Sequence, residues 1–135
     1  MDKIIISDLA VFCRVGVPDE ERAKPQRLLI SLEMLRDLST AATSDDLTKT
    51  IDYHAVTRRL LGLGEGRSWK LIETLAADIA DVVLNEFAAD IVSVEVKKFI
   101  IPEKARKSGT NCQKTSWPTN RIEIGRAPYR ASSVL

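Results

Sequence analysis

The stretch V-S-V-E-V-K-K-F-I-I-P, residues 92–102, has the alternation of a β-strand and one residue that breaks it. Its even positions, Val92, Val94 and Val96, predict an apolar strand face turned toward a core. Lys98 falls on that same face, so its ammonium must either reach water or lose its charge to desolvation. Taken alone, the strand favours a lysine whose stem lies along apolar surface, with a functional amine as the alternative.

The rest of the chain predicts the elements that pack around this strand. Alternating apolar residues over 4–17 and 28–34 indicate two strands of an antiparallel hairpin with a long, charged loop. Apolar residues at helical spacing predict helices over about 53–61 and 71–87. A short last strand is possible near 120–124. The order ββααβ predicts an α+β fold, an antiparallel sheet with both helices on one face.

Charge divides the chain into two parts. Residues 1–102 carry 13 Lys and Arg against 17 Asp and Glu, whereas residues 103–135 carry 7 against 2. We therefore predict one domain over 1–102 and an atypical basic tail over 103–135, irregular apart from the short strand. The abrupt change suits either a natural variant of the tail or a shifted reading frame.

Composition limits the classes of function. A net charge of +1 and a net acidic domain without interleaved aromatic residues argue against a nucleic-acid partner. The apolar runs are too short for a membrane span and the first residues lack signal-peptide architecture, so a cytoplasmic protein is expected. Cys13, Cys112 and the single histidine, His54, cannot form a usual structural zinc site, and we expect no metal and two free thiols.

Three further residues could carry chemistry, each with an ordinary alternative. Glu73 lies in the first turn of the second helix, where the helix dipole favours an ionised carboxylate, although first-turn glutamates are common. Tyr53 opens the first helix and could place a phenol at a cleft, but core packing is more usual. Glu21 lies in a charged loop, where solvated surface is the usual explanation. Position alone favours the ordinary reading of each.

Five segments together resemble the dihydroneopterin aldolases, folate-pathway enzymes of the tunnelling fold. They lie in order and at the family's spacing over roughly residues 4–102, and each is weak alone but specific in combination. The segments are I-S-D-L-A-V-F-C-R-V-G-V-P-D-E-E-R, P-Q-R-L-L-I-S-L-E, S-D-D-L with T-I-D-Y, L-I-E-T-L-A-A-D-I-A and V-E-V-K-K-F-I-I-P.

The resemblance implies a set of substrate-binding residues. Glu73 matches the family's pterin anchor, which holds the 2-amino and N3–H edge, with backbone groups of Leu71 and Ile72 beside it. Thr50 and Ile51 match residues that contribute backbone contacts to the pterin ring.

The resemblance also implies the catalytic residues. Lys98 matches the catalytic lysine, and Glu21 matches a loop glutamate near the hydroxylated side chain of the substrate. Tyr53 matches a tyrosine that reaches in from a neighbouring subunit and helps to protonate the cleaved intermediate. Sites at the interfaces of a homo-oligomeric ring are therefore expected.

The implied reaction is the retro-aldol cleavage of 7,8-dihydroneopterin into 6-hydroxymethyl-7,8-dihydropterin and glycolaldehyde. It needs no cofactor, metal or Schiff base, because a protonated ring imine of the substrate can accept the electrons released. Two alternatives remain open: a 2′-epimerase acting on dihydroneopterin or its triphosphate, and a non-catalytic pterin-binding or structural paralogue. The chain departs from the family at Phe99, where proline is common, and after residue 102, where the family's last strand is replaced.

Overall fold

The computed structural model describes residues 1–99 and the backbone of a strand over 119–126. The described part contains five strands, four α-helices and one 3-10 turn. The strands are β1 (Asp2–Val15), β2 (Gln26–Arg36), β3 (Ser68–Trp69), β4 (Ile91–Phe99) and β5 (Thr119–Arg126). The helices are α1 (Asp19–Arg22), α2 (Ser39–Ser44), α3 (Tyr53–Leu61) and α4 (Ile72–Glu86), with the 3-10 turn at Leu47–Lys49.

The strands form one sheet in the order β3-β1-β2-β4-β5. The pairs β1–β2, β2–β4 and β4–β5 are antiparallel, which confirms the predicted α+β class. The two-residue strand β3 pairs in parallel with β1 and was not predicted from the sequence, because two residues are too short for a period to show. The predicted strand near 120–124 lies inside β5.

One face of the sheet is covered by α3 and α4 and holds the core. The even residues of β4, from Val92 to Val96, are fully buried on this face, together with even residues of β2. The helices contribute Val56 and Leu60 from α3 and a row of residues from α4 that includes Ile79. We call this the helix-covered face and the opposite side the open face.

A bulge in β1 reverses the parity of its inward residues. The pairing shifts by one residue between Ile6 and Leu9 of β1, and Asp8 has a φ of 52° there. The backbone N–H of Asp8 donates to Ser31 Oγ at 3.0 Å. Because of this shift, Ile4 and Val11 both contact the core although one is even and the other odd.

Local signals define α3 as the sequence predicts, whereas the short helices α1 and α2 were not predicted. Asp52 is the N-cap of α3, and its Oδ1 accepts from the Ala55 N–H at 3.1 Å. Gly62 follows the last residue of α3 as its C-cap. In the described residues no helix is long and apolar enough to cross a membrane. The domain division at residue 102 stays a prediction, because residues 100–118 lie outside the part described.

Candidate functional site

A cavity of about 340 Å³ opens between the β1–β2 connection, the start of α4 and the end of β4. Three segments that are far apart in the sequence supply its wall. The lining residues are Val15, Gly16, Val17, Glu21, Lys70, Leu71, Ile72, Glu73 and Lys98. Five of the eight predicted site residues therefore lie in one cavity, whose volume is within the range of small-molecule sites.

Lys98 is the residue that β4 contributes to the lining of this cavity. It pairs with Leu28 at the start of β2 and follows Val96 on the helix-covered face, as the alternation predicts. Its relative exposure is 8%, and it is the one buried charged residue in the part of the chain with described side chains. Its Nζ lies 2.5 Å from Glu21 Oε1, so the charge is satisfied by a carboxylate instead of being carried out to water.

Glu21 reaches Lys98 because the loop that carries it folds back on the end of β1. The short helix α1 holds Glu21, and its carboxylate lies against Gly16. A Cβ at Gly16 would overlap that carboxylate and lie 2.7 Å from Glu21 Cβ, and the φ of 156° at this residue also favours glycine. The ion pair therefore depends on a glycine at position 16.

Strand β3 positions the third segment of the cavity wall, residues 70–73. The Gly16 N–H donates to the Trp69 carbonyl at 2.9 Å, which fixes the chain just before Lys70 and Leu71. Asp78 Oδ2 accepts from Trp69 Nε1 at 2.8 Å and from Arg67 Nη2 at 2.9 Å, which ties this segment to α4. The start of α4 is thereby held beside the end of β1.

Glu73 lies in the first turn of α4 and is exposed to the cavity. The N-cap of α4 is Leu71, whose side chain offers no hydrogen-bond acceptor to the first N–H groups. These groups and the positive end of the helix dipole lie beside the Glu73 carboxylate. The cavity thus presents an ammonium–carboxylate pair on one side and a separate carboxylate on another.

Three predicted site residues do not line this cavity. Thr50, Ile51 and Tyr53 precede or open α3, and Ile51 is buried in the core. Tyr53 has 62% of its surface exposed. The Thr50 carbonyl accepts from Arg36 Nη1 at 2.7 Å, and Thr50 lines a second cavity of about 390 Å³ on that side. Within this chain, the eight predicted residues fall into two groups, five that line the first cavity and three that do not.

Four lining residues were missed by sequence reasoning. Val15, Gly16 and Val17 belong to the end of the first predicted strand and its connection, and Lys70 precedes the second predicted helix. Nothing in a single sequence shows that the 16–22 loop closes on itself or that β3 aligns with β1. For Lys70 the available signal was its position, because it directly precedes the predicted site residue Leu71.

The geometry fits proton transfer on a small polar ligand. An ammonium and a carboxylate in contact can exchange protons with a hydroxyl group, while a separate carboxylate can accept two parallel N–H donors. Among the described residues no group of three or more His, Cys, Asp or Glu side chains could hold a metal ion.

The chain is similar in sequence and in fold to known proteins. The family model described as "FolB: Dihydroneopterin aldolase" matches residues 4–113. A dihydroneopterin aldolase of Methylorubrum extorquens is 39% identical over 98 residues, 72% of this chain and 75% of that protein. One of Haemophilus influenzae is 30% identical over 109 residues, 81% of this chain and 92% of that protein. The structure of Escherichia coli dihydroneopterin aldolase in complex with neopterin superposes with a TM-score of 0.75 at 26% identity, covering 94% of this chain and 100% of that one.

Proposed function

Because the chain belongs to the dihydroneopterin aldolase family, we propose that it is the lyase of folate biosynthesis that cleaves 7,8-dihydroneopterin. The products are 6-hydroxymethyl-7,8-dihydropterin and glycolaldehyde. The observation that carries this assignment to the residues is the Lys98–Glu21 pair, in contact at 2.5 Å in the same cavity as Glu73.

Glu73 is proposed to anchor the pterin. Its carboxylate can accept the 2-amino and N3–H donors of the ring in parallel, a geometry that fixes both position and orientation. Leu71 and Ile72 line the cavity beside it and can supply backbone groups to the same edge. Thr50 and Ile51 are proposed to contact the ring from a second subunit, since they lie outside this cavity.

Lys98 and Glu21 are proposed to handle the proton of the side-chain hydroxyl. Removal of the proton from the C2′ hydroxyl, directly or through water, lets the C1′–C2′ bond break and C2′ leave as the aldehyde carbon of glycolaldehyde. The electron pair moves into the protonated ring imine, so no Schiff base with Lys98 and no metal is required. Protonation of C1′ then gives the hydroxymethyl product, and Tyr53 assists this step.

The exposure of Tyr53 supports a site completed by a neighbouring subunit. A phenol that acts in this reaction must reach the cavity, yet Tyr53 lies outside it and is 62% exposed. A homo-oligomeric ring would bring the α3 start of one subunit to the cavity of the next. We expect the protein to act in the cytoplasm on a small-molecule pterin, without a cofactor or a nucleic-acid partner.

The direct test is to incubate the purified protein with 7,8-dihydroneopterin. We expect glycolaldehyde and 6-hydroxymethyl-7,8-dihydropterin in equal amounts. Chromatography of the pterins separates this result from 2′-epimerisation, in which the aldehyde adds back and the pterin keeps its side chain. Pterin binding without either product would favour a non-catalytic paralogue and overturn the proposal.

Subunit mixing tests the shared site. Lys98→Ala and Tyr53→Phe subunits are each expected to be nearly inactive in their own assemblies. After dissociation and reassembly of an equal mixture, about a quarter of the interfaces would join an intact Lys98 to an intact Tyr53, so about a quarter of wild-type activity should return. No recovery, in assemblies shown by mass to be mixed, would mean that each site belongs to one subunit.

A further inference from the structure

The loop that carries Glu21 is closed by the residue that follows it. Arg22 Nη1 donates to the Gly16 carbonyl at 2.7 Å and to the Val17 carbonyl at 2.7 Å. The same guanidinium forms an ion pair with Asp19. The Arg22 side chain is only 15% exposed, and its hydrogen bond to the Gly16 carbonyl is partly buried, whereas the one to the Val17 carbonyl is exposed.

The two carbonyls that Arg22 binds belong to residues that line the cavity. Gly16 and Val17 both line the cavity, and Gly16 is the residue against which the Glu21 carboxylate packs. The Arg22 hydrogen bonds therefore keep the start of the loop from moving away from Glu21. Contact between Glu21 and Gly16 prevents a closer approach.

A second arginine holds the far end of the loop. Arg14 Nη1, from β1, donates to the Arg22 carbonyl at 3.3 Å and to the Ala23 carbonyl. Gln26 Nε2 donates to the Val15 carbonyl at 2.5 Å where β2 begins. Backbone carbonyls at both ends of the loop are thus bound by side chains. Arg22 binds those of the lining residues Gly16 and Val17, next to Glu21, whereas Gln26 binds that of the lining residue Val15.

We propose that Arg22 is a positioning residue that holds the Glu21 carboxylate on Lys98. Arg22 does not line the cavity, so it acts through Glu21 and not on the substrate. Loss of its hydrogen bonds lets the 16–22 loop open and Glu21 move away from Lys98. This inference rests on the proposed aldolase reaction for its kinetic consequence, although the loop closure itself does not.

A double-mutant cycle separates positioning from general stability. Arg22→Met keeps the apolar stem and removes the donors. We expect kcat to fall about 10- to 100-fold with KM changed less than about threefold, because an ångström-scale misplacement of a proton-transfer group has this size of effect. In a Glu21→Gln background the same Arg22→Met change should lower kcat by no more than about twofold.

Two variants serve as controls. Arg22→Lys retains a donor near the Gly16 and Val17 carbonyls and should restore part of the lost kcat. Arg59→Met removes a guanidinium paired with Glu86 at 3.0 Å, between α3 and the end of α4, and should leave kcat unchanged. An equal fall of kcat after Arg22→Met in the wild-type and Glu21→Gln backgrounds would overturn the inference.

A readout without substrate keeps this test separate from the aldolase assignment. Amine acetylation followed by peptide mass spectrometry measures how accessible Lys98 is in the assembled protein. Arg22→Met should raise acetylation of Lys98 to the level seen with Glu21→Gln, whereas Arg59→Met should not. Unchanged acetylation of Lys98 in folded Arg22→Met protein would overturn the positioning role, whatever the wild-type protein does to dihydroneopterin.

Discussion

The two lysines of β4, Lys97 and Lys98, are neighbours in sequence but lie on opposite faces of the sheet. Lys98, on the helix-covered face, contacts Glu21 at 2.5 Å and its side chain is 10% exposed. Lys97, on the open face, lies 3.4 Å from both Asp8 Oδ1 and Glu95 Oε1 and its side chain is 33% exposed. Both ammonium groups are paired with carboxylates. Pairing alone therefore does not distinguish a lysine proposed to transfer protons from one with a structural role.

The difference lies in what surrounds each pair. A cavity opens beside Lys98, and its walls hold a further carboxylate, Glu73. Lys97 instead lies in a network of surface charges. The hydrogen bond to Asp8 is the main reason that the pKa of Lys97 is raised, and the raised pKa means that the charged form is stabilised. The comparison teaches that a fixed ion pair becomes a candidate for proton transfer when a ligand-sized space adjoins it.

The largest expected effect comes from removing each lysine in turn. Lys98→Ala should lower kcat by about 10²- to 10⁴-fold, the usual contribution of a positioned acid or base. Lys97→Ala, the matched control one residue away, should change kcat by less than about twofold. Glycolaldehyde release measures both, and Lys98→Met checks that the loss is not a packing defect. Similar losses in the two alanine variants would refute the assignment of chemistry to one face.

The second effect concerns stability on the two faces. Leu32 of β2 is fully buried on the helix-covered face, whereas Ile5 of β1 is 56% exposed on the open face. Leu32→Ala should reduce the free energy of unfolding by about 2–5 kcal/mol, and Ile5→Ala by less than about 1 kcal/mol. Denaturant unfolding at matched protein concentration tests both. A large cost at Ile5 would mean that another subunit covers the open face.

The third effect weakens one of the helices that distinguish the faces. Asp52→Ala removes the side-chain cap of α3 and should cost about 1 kcal/mol of unfolding free energy, while Asp52→Asn should cost only a few tenths because asparagine also caps well. Thermal unfolding followed by circular dichroism measures the pair. Equal losses in the two variants would show that the carboxylate acts through its charge and not as a cap.

The last prediction compares the rates at which thiols at the adjacent positions 12 and 13 are chemically labelled, which leaves the fold least changed. Burial raises the pKa of the Cys13 thiol to about 11, so it stays protonated and unreactive until the pH approaches that value. Two proteins are compared, both with Cys112→Ser: one keeps native Cys13, and the other carries Phe12→Cys on the open face together with Cys13→Ala. At pH 8.5, Cys13 should react with iodoacetamide at least about 100-fold more slowly than the thiol introduced by Phe12→Cys. Equal rates would mean that this part of the core opens readily.

Much of the fold was predictable because its signals are local. Alternation along β4 placed Lys98 on the face of Val96, and helical spacing with Asp52 before it and Gly62 after it defined α3. The bulge near Asp8 and the short parallel strand β3 were not predictable, since each depends on the register of a partner strand far away in the sequence.

The site divides in the same way. By itself, the sequence determined which face of β4 carries Lys98 and that Glu73 lies in the first turn of its helix, because strand period and helix start are properties of neighbouring residues. Only the tertiary structure decided that Glu21 contacts Lys98, that Gly16 makes room for the carboxylate, and that Tyr53 stays outside the cavity. These contacts join residues far apart in the chain, and they form only when loop closure and strand pairing bring the segments together.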